Sequence, residues 1–318
     1  MFRRTLFIAG LAAAHIAVAP AAAQDYPTRP VVIVVPFAAG GGNDILARLI
    51  AQHMGRALGQ QFVIENRTGA GGTIGARAVA KAAPDGYTLM VGHSGVFGVA
   101  PALYADPGYE PRRDFAPIGL IASYQQVLVV HPSVPVRSVA DLIALARKQP
   151  GRITYATAGV GSGSHLSTEL FAAMADIKLA HIPYRGTGAM QGDLLGGHVD
   201  MSITTFPSVF GQLRSGLRPI AVTGEVRASI LPDVPTVAEA GVPGYAAVIH
   251  YGMVAPAGTS RAIVDRLNAE LRNALGREDV RQRILEEGGE PLPGTPDRQA
   301  SDIGEEEAKW GALVRKLG

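Results

Sequence analysis

Three features of the sequence predict an α/β fold built as two lobes with a cleft between them. Strand-like and helix-like patterns alternate along the chain, the order of a mostly parallel sheet covered by helices. Twice a β-rich run breaks into glycines and restarts as an amphipathic helix: Val31-Val32-Ile33-Val34-Val35 leads through Pro36-Phe37-Ala38-Ala39-Gly40-Gly41-Gly42 into Ile45, Leu46, Leu49 and Ile50, and Ile153-Thr154-Tyr155-Ala156 leads through Thr157-Ala158-Gly159-Val160-Gly161-Ser162-Gly163 into Leu166, Leu170 and Phe171. Two long β-type stretches, 116–130 and 246–254, bracket the intervening residues like paired crossings between lobes, an arrangement that makes a hinged cleft.

The N-terminus reads as a secretory signal peptide. Arg3 and Arg4 give a basic start, residues 6–19 an apolar core, and Ala21-Ala22-Ala23 the small residues of a cleavage site, which places signal peptide at 1–23. The mature chain is expected to be a soluble, periplasmic protein of about 295 residues, enough for two lobes of about 150. The chain has no cysteine, which excludes a disulfide framework, thiolate metal sites, a cysteine nucleophile and a lipidated cysteine. Losing Arg3 and Arg4 brings the formal net charge from +2 to 0, so nothing steers the protein to nucleic acid or a membrane surface.

In chain order, residues 31–35 predict a strand, 45–58 a helix, 62–65 a short strand and 74–82 a helix closed by the turn Pro84-Asp85-Gly86. A strand at 87–91 ends in Gly92-His93-Ser94-Gly95. After the long stretch 116–130, Ser138 caps a helix at 139–148 that Pro150-Gly151 stops. The second lobe repeats the scheme, with strands at 153–156, 181–183, 199–203 and 220–223 and helices at 166–174 and 189–195. Helices at 263–275, 280–287 and 297–317 finish the chain. The expected first lobe is 24–126 with 250–318, and the second is 127–249.

A strand that ends in glycines and feeds a helix aims backbone N–H groups and the positive end of the helix dipole at one spot, a ready site for a carboxylate or phosphate. Two such units predict two anion-facing lobes.

The chain also resembles a known family. Tyr26-Pro27-Thr28-Arg29-Pro30 leading to Pro36-Phe37-Ala38-Ala39-Gly40-Gly41, then Glu65-Asn66-Arg67-Thr68-Gly69-Ala70-Gly71-Gly72-Thr73, Pro84-Asp85-Gly86-Tyr87, Asp114-Phe115-Ala116-Pro117, Gly163-Ser164-His165, His181-Ile182-Pro183-Tyr184-Arg185-Gly186, Leu194-Leu195-Gly196-Gly197-His198-Val199-Asp200 and Tyr251-Gly252-Met253-Val254 succeed one another in the order of the Bug family, the extracytoplasmic solute-binding proteins of tripartite tricarboxylate transporters. The resemblance implies a type II periplasmic-binding-protein fold that closes two α/β lobes over a small carboxylate, with no catalysis and no cofactor, and that hands the ligand to a membrane permease. A monomer is the simple expectation.

Carried over position by position, the resemblance implies that Phe37, Ala38, Ala39, Gly40 and Gly41 offer amides to the ligand, since only small residues let it approach the backbone this closely. Asp44 would help the helix start rather than touch an anion. Ser94 could donate a hydroxyl or simply be a turn serine. Thr157, Ala158, Gly161, Ser162, Gly163 and Ser164 are the second-lobe counterpart, where hydroxyls and amides can surround a carboxylate or bridging waters. His165 either bonds the ligand or braces the loop. Tyr184 and Arg185 come after a strand end, and Arg185 either pairs with a carboxylate or faces solvent. Thr205 and Phe206 lie at a strand-to-helix turn where family members often carry Asn or Asp, so ligand identity is left open. Phe37 and Phe206 would form an apolar wall or belong to the core.

Enzyme signatures fail on the residues. Gly92-His93-Ser94-Gly95-Val96 has valine where a Gly-x-Ser-x-Gly motif needs its last glycine, Gly-Lys never occurs, and Ser164 stands where a dinucleotide fingerprint after Gly159-Val160-Gly161 needs glycine. A secreted hydrolase therefore has no constellation behind it. A periplasmic partner that presents its ligand to a signalling receptor would use the same cleft and stays an alternative.

Overall fold

The computed structural model describes residues 26–213 and 215–317, so the expected signal peptide lies outside the described residues. Strand β1 (Val31–Val35) is a run of β-branched residues that pack on both faces. Helix α1 (Gly42–Leu58) starts after the extended Gly41 and stops where Gly59 turns left-handed at φ 67°. Strand β2 (Phe62–Asn66), helix α2 (Thr73–Ala80) and strand β3 (Thr88–His93) come next, each within two or three residues of its expected bounds. Beyond β3 a π-helical turn at Gly95–Val99 runs into α3 (Ala100–Leu103), and α4 (Pro111–Asp114) precedes the long β4 (Phe115–Val130).

Helix α5 (Val139–Lys148) has the predicted cap: Ser138 Oγ accepts the Asp141 N–H at 3.1 Å. Then come β5 (Thr154–Thr157), α6 (Gly163–Ala175), β6 (Ala180–Pro183), α7 (Thr187–Leu195), β7 (Met201–Thr205), α8 (Phe206–Leu213) and β8 (Arg218–Val222). Strand β9 (Val248–Pro256) leads to α9 (Arg261–Leu275), α10 (Glu278–Glu286), the short β10 (Gly289–Pro291) and α11 (Pro296–Leu317).

The sheet is mixed rather than mostly parallel. Parallel pairing joins β1 to β2 and β3, and β5 to β6 and β7. Every pairing made by β4 and β9 is antiparallel. These are the two long stretches, and they run side by side: Phe115 pairs with Pro256 and Gln125 with Val248. At Gln126 β4 changes partners, and from there to Val130 it pairs with β7. One continuous strand therefore serves two half-sheets, β2-β1-β3-β9-β4 and β4-β7-β5-β6.

Each half has its own apolar filling. Val31, Ile33, Leu46, Ile50, Leu89 and Leu267 pack together in the first, and Leu128, Val130, Leu142, Tyr155, Phe171 and Ile203 in the second. Burying side chains of this size contributes about 1.5–3 kcal/mol each. Helix α11 reaches both: Ile303 packs with Val34, Met90 and Phe115, whereas Trp310 and Leu313 pack with Leu128 and Tyr155. Among the described residues no helix is long and apolar enough to cross a membrane.

Candidate functional site

The carboxyl ends of the parallel strands in the two half-sheets face each other, the usual place for a ligand in open α/β folds. Three close approaches mark the seam. A β-carbon built on Gly186 would lie 4.0 Å from Ala38 Cβ, one on Gly71 3.4 Å from the Val160 oxygen, and one on Gly95 3.2 Å from the Gly161 oxygen. The loops after β1, β2 and β3 thus meet the loops after β5 and β6. Gly186 has φ 103°, a conformation that side chains rarely adopt, at one of these three approaches.

On the first side Ala38, Ala39 and Gly40 are exposed and Phe37 is half-buried. The Gly40 N–H is already used, donating to Asp44 Oδ2 at 3.0 Å, and the Gly41 N–H makes a long bond to the Ala38 oxygen at 3.4 Å. Asp44 does not cap α1. Buried in the first turn, it accepts Gly40 N–H, Arg48 Nε at 2.9 Å and Asn66 Nδ2 at 3.0 Å, and so fixes the loop. Burial opposes its ionisation, but these hydrogen bonds outweigh that and hold its carboxyl below the usual range. No acceptor among the described residues takes the N–H groups of Ala38, Ala39, Gly42 and Asn43. The last two are the orphan donors at the start of α1, where the helix dipole is positive.

The second side is more self-contained than its sequence implied. Ser162 Oγ donates to the Gly159 oxygen at 2.6 Å and accepts the His165 N–H; Ser164 Oγ accepts the Ala158 N–H at 2.9 Å. Thr157 is fully buried, its Oγ1 2.7 Å from His181 Nε2 and accepting the Gly159 N–H. The hydroxyls expected to surround a ligand instead build the loop, because a tight glycine turn must satisfy its own amides. Among the described residues no acceptor takes the N–H groups of Val160, Gly163 and Ser164.

His165 has the bracing geometry: its Nδ1 accepts the Gly161 N–H at 3.3 Å, and its ring stacks on His181 at 4.3 Å, which in turn stacks on Tyr155. Burial lowers the pKa of both imidazoles; for His181, with the His165 charge adding to burial, it falls to about 4. Nothing in the sequence signals this stack beyond the two histidines themselves.

The remaining residues are placed less favourably for a ligand. Ser94 is buried and its Oγ accepts the His250 N–H at 3.1 Å. Tyr184 donates its hydroxyl to Asp193 Oδ2 at 2.6 Å, Arg185 is exposed, and Thr205 Oγ1 lies 2.7 Å from Ser208 Oγ. Phe206 is 1% exposed among Val127, Val129, Met190 and Val209, and Gly288 of the opposite side packs on its ring, so it is core rather than an open wall.

A separate open groove of about 800 Å³ runs past Arg48, Gln52, Arg56 and Phe62 on the outside of α1. It lies towards the C-terminal end of that helix, where carbonyl dipoles disfavour an anion. The strand-end seam is the better candidate.

The family model described as tripartite tricarboxylate transporter family receptor matches residues 46–318. The chain belongs to this receptor family. It is 38% identical to BugT of Bordetella pertussis over 99% of this chain and 98% of that one. Among solved structures, a protein of R. palustris with adipate is 41% identical, with TM-score 0.87, covering 92% of this chain and 98% of its own. MatC of Rhodopseudomonas palustris with bound malate is 36% identical, with TM-score 0.85, covering 91% and 100%. The family likeness read from the sequence motifs holds, as does the α/β periplasmic-binding-protein fold.

Proposed function

We propose that this receptor-family member is an extracytoplasmic solute-binding protein that captures a small organic carboxylate and delivers it to a tripartite tricarboxylate-type membrane permease. In this reading residues 24–126 with 250–318 form one lobe, 127–249 form the other, and both close over the ligand in the periplasm after cleavage of the signal peptide at 1–23. It acts as a monomer, by binding and not by catalysis.

The observation that carries the reading is the convergence of unspent amides. Ala38, Ala39, Gly42 and Asn43 on one side, and Val160, Gly163 and Ser164 on the other, offer N–H groups at two helix starts across one seam. That arrangement suits an anion held by backbone donors and water. Relatives solved with adipate and malate support the same ligand class.

A thermal-shift screen of the protein from Gln24 onward tests it, using aliphatic and aromatic carboxylates with sugars and cations as controls. A ligand at about 100 times its dissociation constant adds about 2.7 kcal/mol, enough for a clear rise in Tm. Shifts confined to acids support the proposal. A folded, ligand-free sample that shifts with none of them, or with sugars instead, overturns it.

A further inference from the structure

The end of β3 carries a side chain that the amide-based site leaves unused. His93 pairs with Tyr251 of β9 and is 7% exposed. Three contacts fix its ring: it stacks on Phe37 at 4.4 Å with 12° between planes, it meets Tyr251 edge-on at 5.6 Å, and its Nδ1 accepts the Gly95 N–H at 2.8 Å.

An imidazole nitrogen that accepts a hydrogen bond carries no proton. In the neutral ring the hydrogen therefore sits on Nε2 as a donor. No acceptor among the described residues takes it, yet Nε2 is not one of the partnerless polar atoms sealed from open space. A donor held this deep and left unspent costs stability unless something arrives to accept it.

Its surroundings say where it opens. Phe37 lies in the loop after β1, and a β-carbon on Gly95 would meet both His93 Cε1 at 2.5 Å and the Gly161 oxygen of the facing half at 3.2 Å. The Nδ1–Cε1 edge of the ring faces Gly95, and Nε2 is one bond further on from Cε1, so the free donor lies beside the seam.

We propose that His93 is a specificity-determining residue of the carboxylate site, its Nε2–H donating to an oxygen of the bound acid. The inference rests on the solute-binding reading above. Burial pushes the imidazole pKa down to about 4, so near neutral pH the group is a donor without charge and without acceptor capacity at Nε2. An oxygen is accepted there, whereas an ammonium or N–H group would find no acceptor and would leave the histidine unpaired. Dicarboxylic and hydroxycarboxylic acids are thereby favoured over amino acids of the same length.

Calorimetric titration with malate, adipate and aspartate tests this on the protein from Gln24 onward. For whichever acid binds, His93→Phe keeps the stack and removes the donor, and is expected to weaken binding about ten- to hundredfold. His93→Gln, which returns an N–H near the same place, is expected to recover part of the loss. In the unmutated protein the ¹⁵N resonance of His93 Nε2 is expected to move on addition of that acid, a readout that does not depend on how well a variant folds. Unchanged affinity in His93→Phe, an unmoved Nε2 resonance, or aspartate binding more tightly than malate would each overturn the assignment while leaving the solute-binding reading in place. Failure of the unmutated protein to bind any acid would remove both.

Discussion

The carboxylate of Asp44 accepts the N–H of Gly40 at 3.0 Å across the turn that joins β1 to α1. Gly40 stands at φ 79°, and the same carboxylate also holds Arg48 and Asn66. A negative charge at the start of a helix that faces an anion would oppose binding if it were free. Its three partners resolve the conflict, because the charge is spent on shaping the loop that carries the free amides.

Replacing Asp44 with alanine should therefore act on stability first. The change strands the Gly40 N–H, leaves the half-buried Asn66 amide with only the Phe37 oxygen, frees Arg48 Nε, and is expected to cost about 2 kcal/mol, read as a fall in Tm of roughly 4–8 °C by scanning calorimetry. An unchanged Tm would mean that the loop is held by something else.

Gly41 offers the converse test. Its φ of −80° suits any residue, and the nearest atom to an added β-carbon is the Ala38 oxygen at 3.4 Å. Gly41→Leu should cost at most about 1 kcal/mol as a poorer helix cap, while its side chain fills the seam. The expected result is a folded protein whose Tm no longer responds to carboxylates.

His250 predicts an alkaline slope. Burial alone would lower its pKa, but the 2.6 Å hydrogen bond to Asp302 and the charges of Asp302 and Glu306 outweigh burial and the opposing Lys309 and raise it. A raised folded pKa means that this contribution is complete below the unfolded value of about 6.5 and is lost as pH rises through the folded one. Melting temperature measured from about pH 6 to 9 should fall more steeply in the unmutated protein than in His250→Gln.

His181 predicts the opposite slope in acid. The folded protein keeps it neutral down to about 4, whereas the unfolded chain takes up a proton below about 6.5. Stability should then drop as pH falls between those values, with no further loss from this group below them. In His181→Phe, which preserves the stacking area, that part of the acid slope should be missing.

Much of this was legible in the sequence where the signal is local. The β-branched run of β1, the Ser138 cap of α5 and the glycines after β1 and β5 each declare themselves within a few residues. Strand direction does not: β4 and β9 read as strands, but their antiparallel pairing joins residues more than a hundred positions apart. The π-helical turn at Gly95–Val99 has no periodicity to reveal it, and the three-residue β10 is too short to show one. At the site, the sequence offers Ser94 as a hydroxyl, yet its neighbour His93 holds the free donor. That distinction depends on Phe37 and Gly95 fixing the ring, which no spacing rule encodes.

The pairing of Gln125 with Val248 has an evolutionary consequence. Residues 126–247 leave and re-enter the rest of the chain at adjacent positions on neighbouring strands, so they form a cassette with a single doorway. Exchange of that cassette between relatives would recombine ligand preferences without redrawing the other half. One constraint limits the exchange: Val99, Trp310 and Leu313 lie outside the cassette but pack in its core, so a working graft has to carry or match those three side chains.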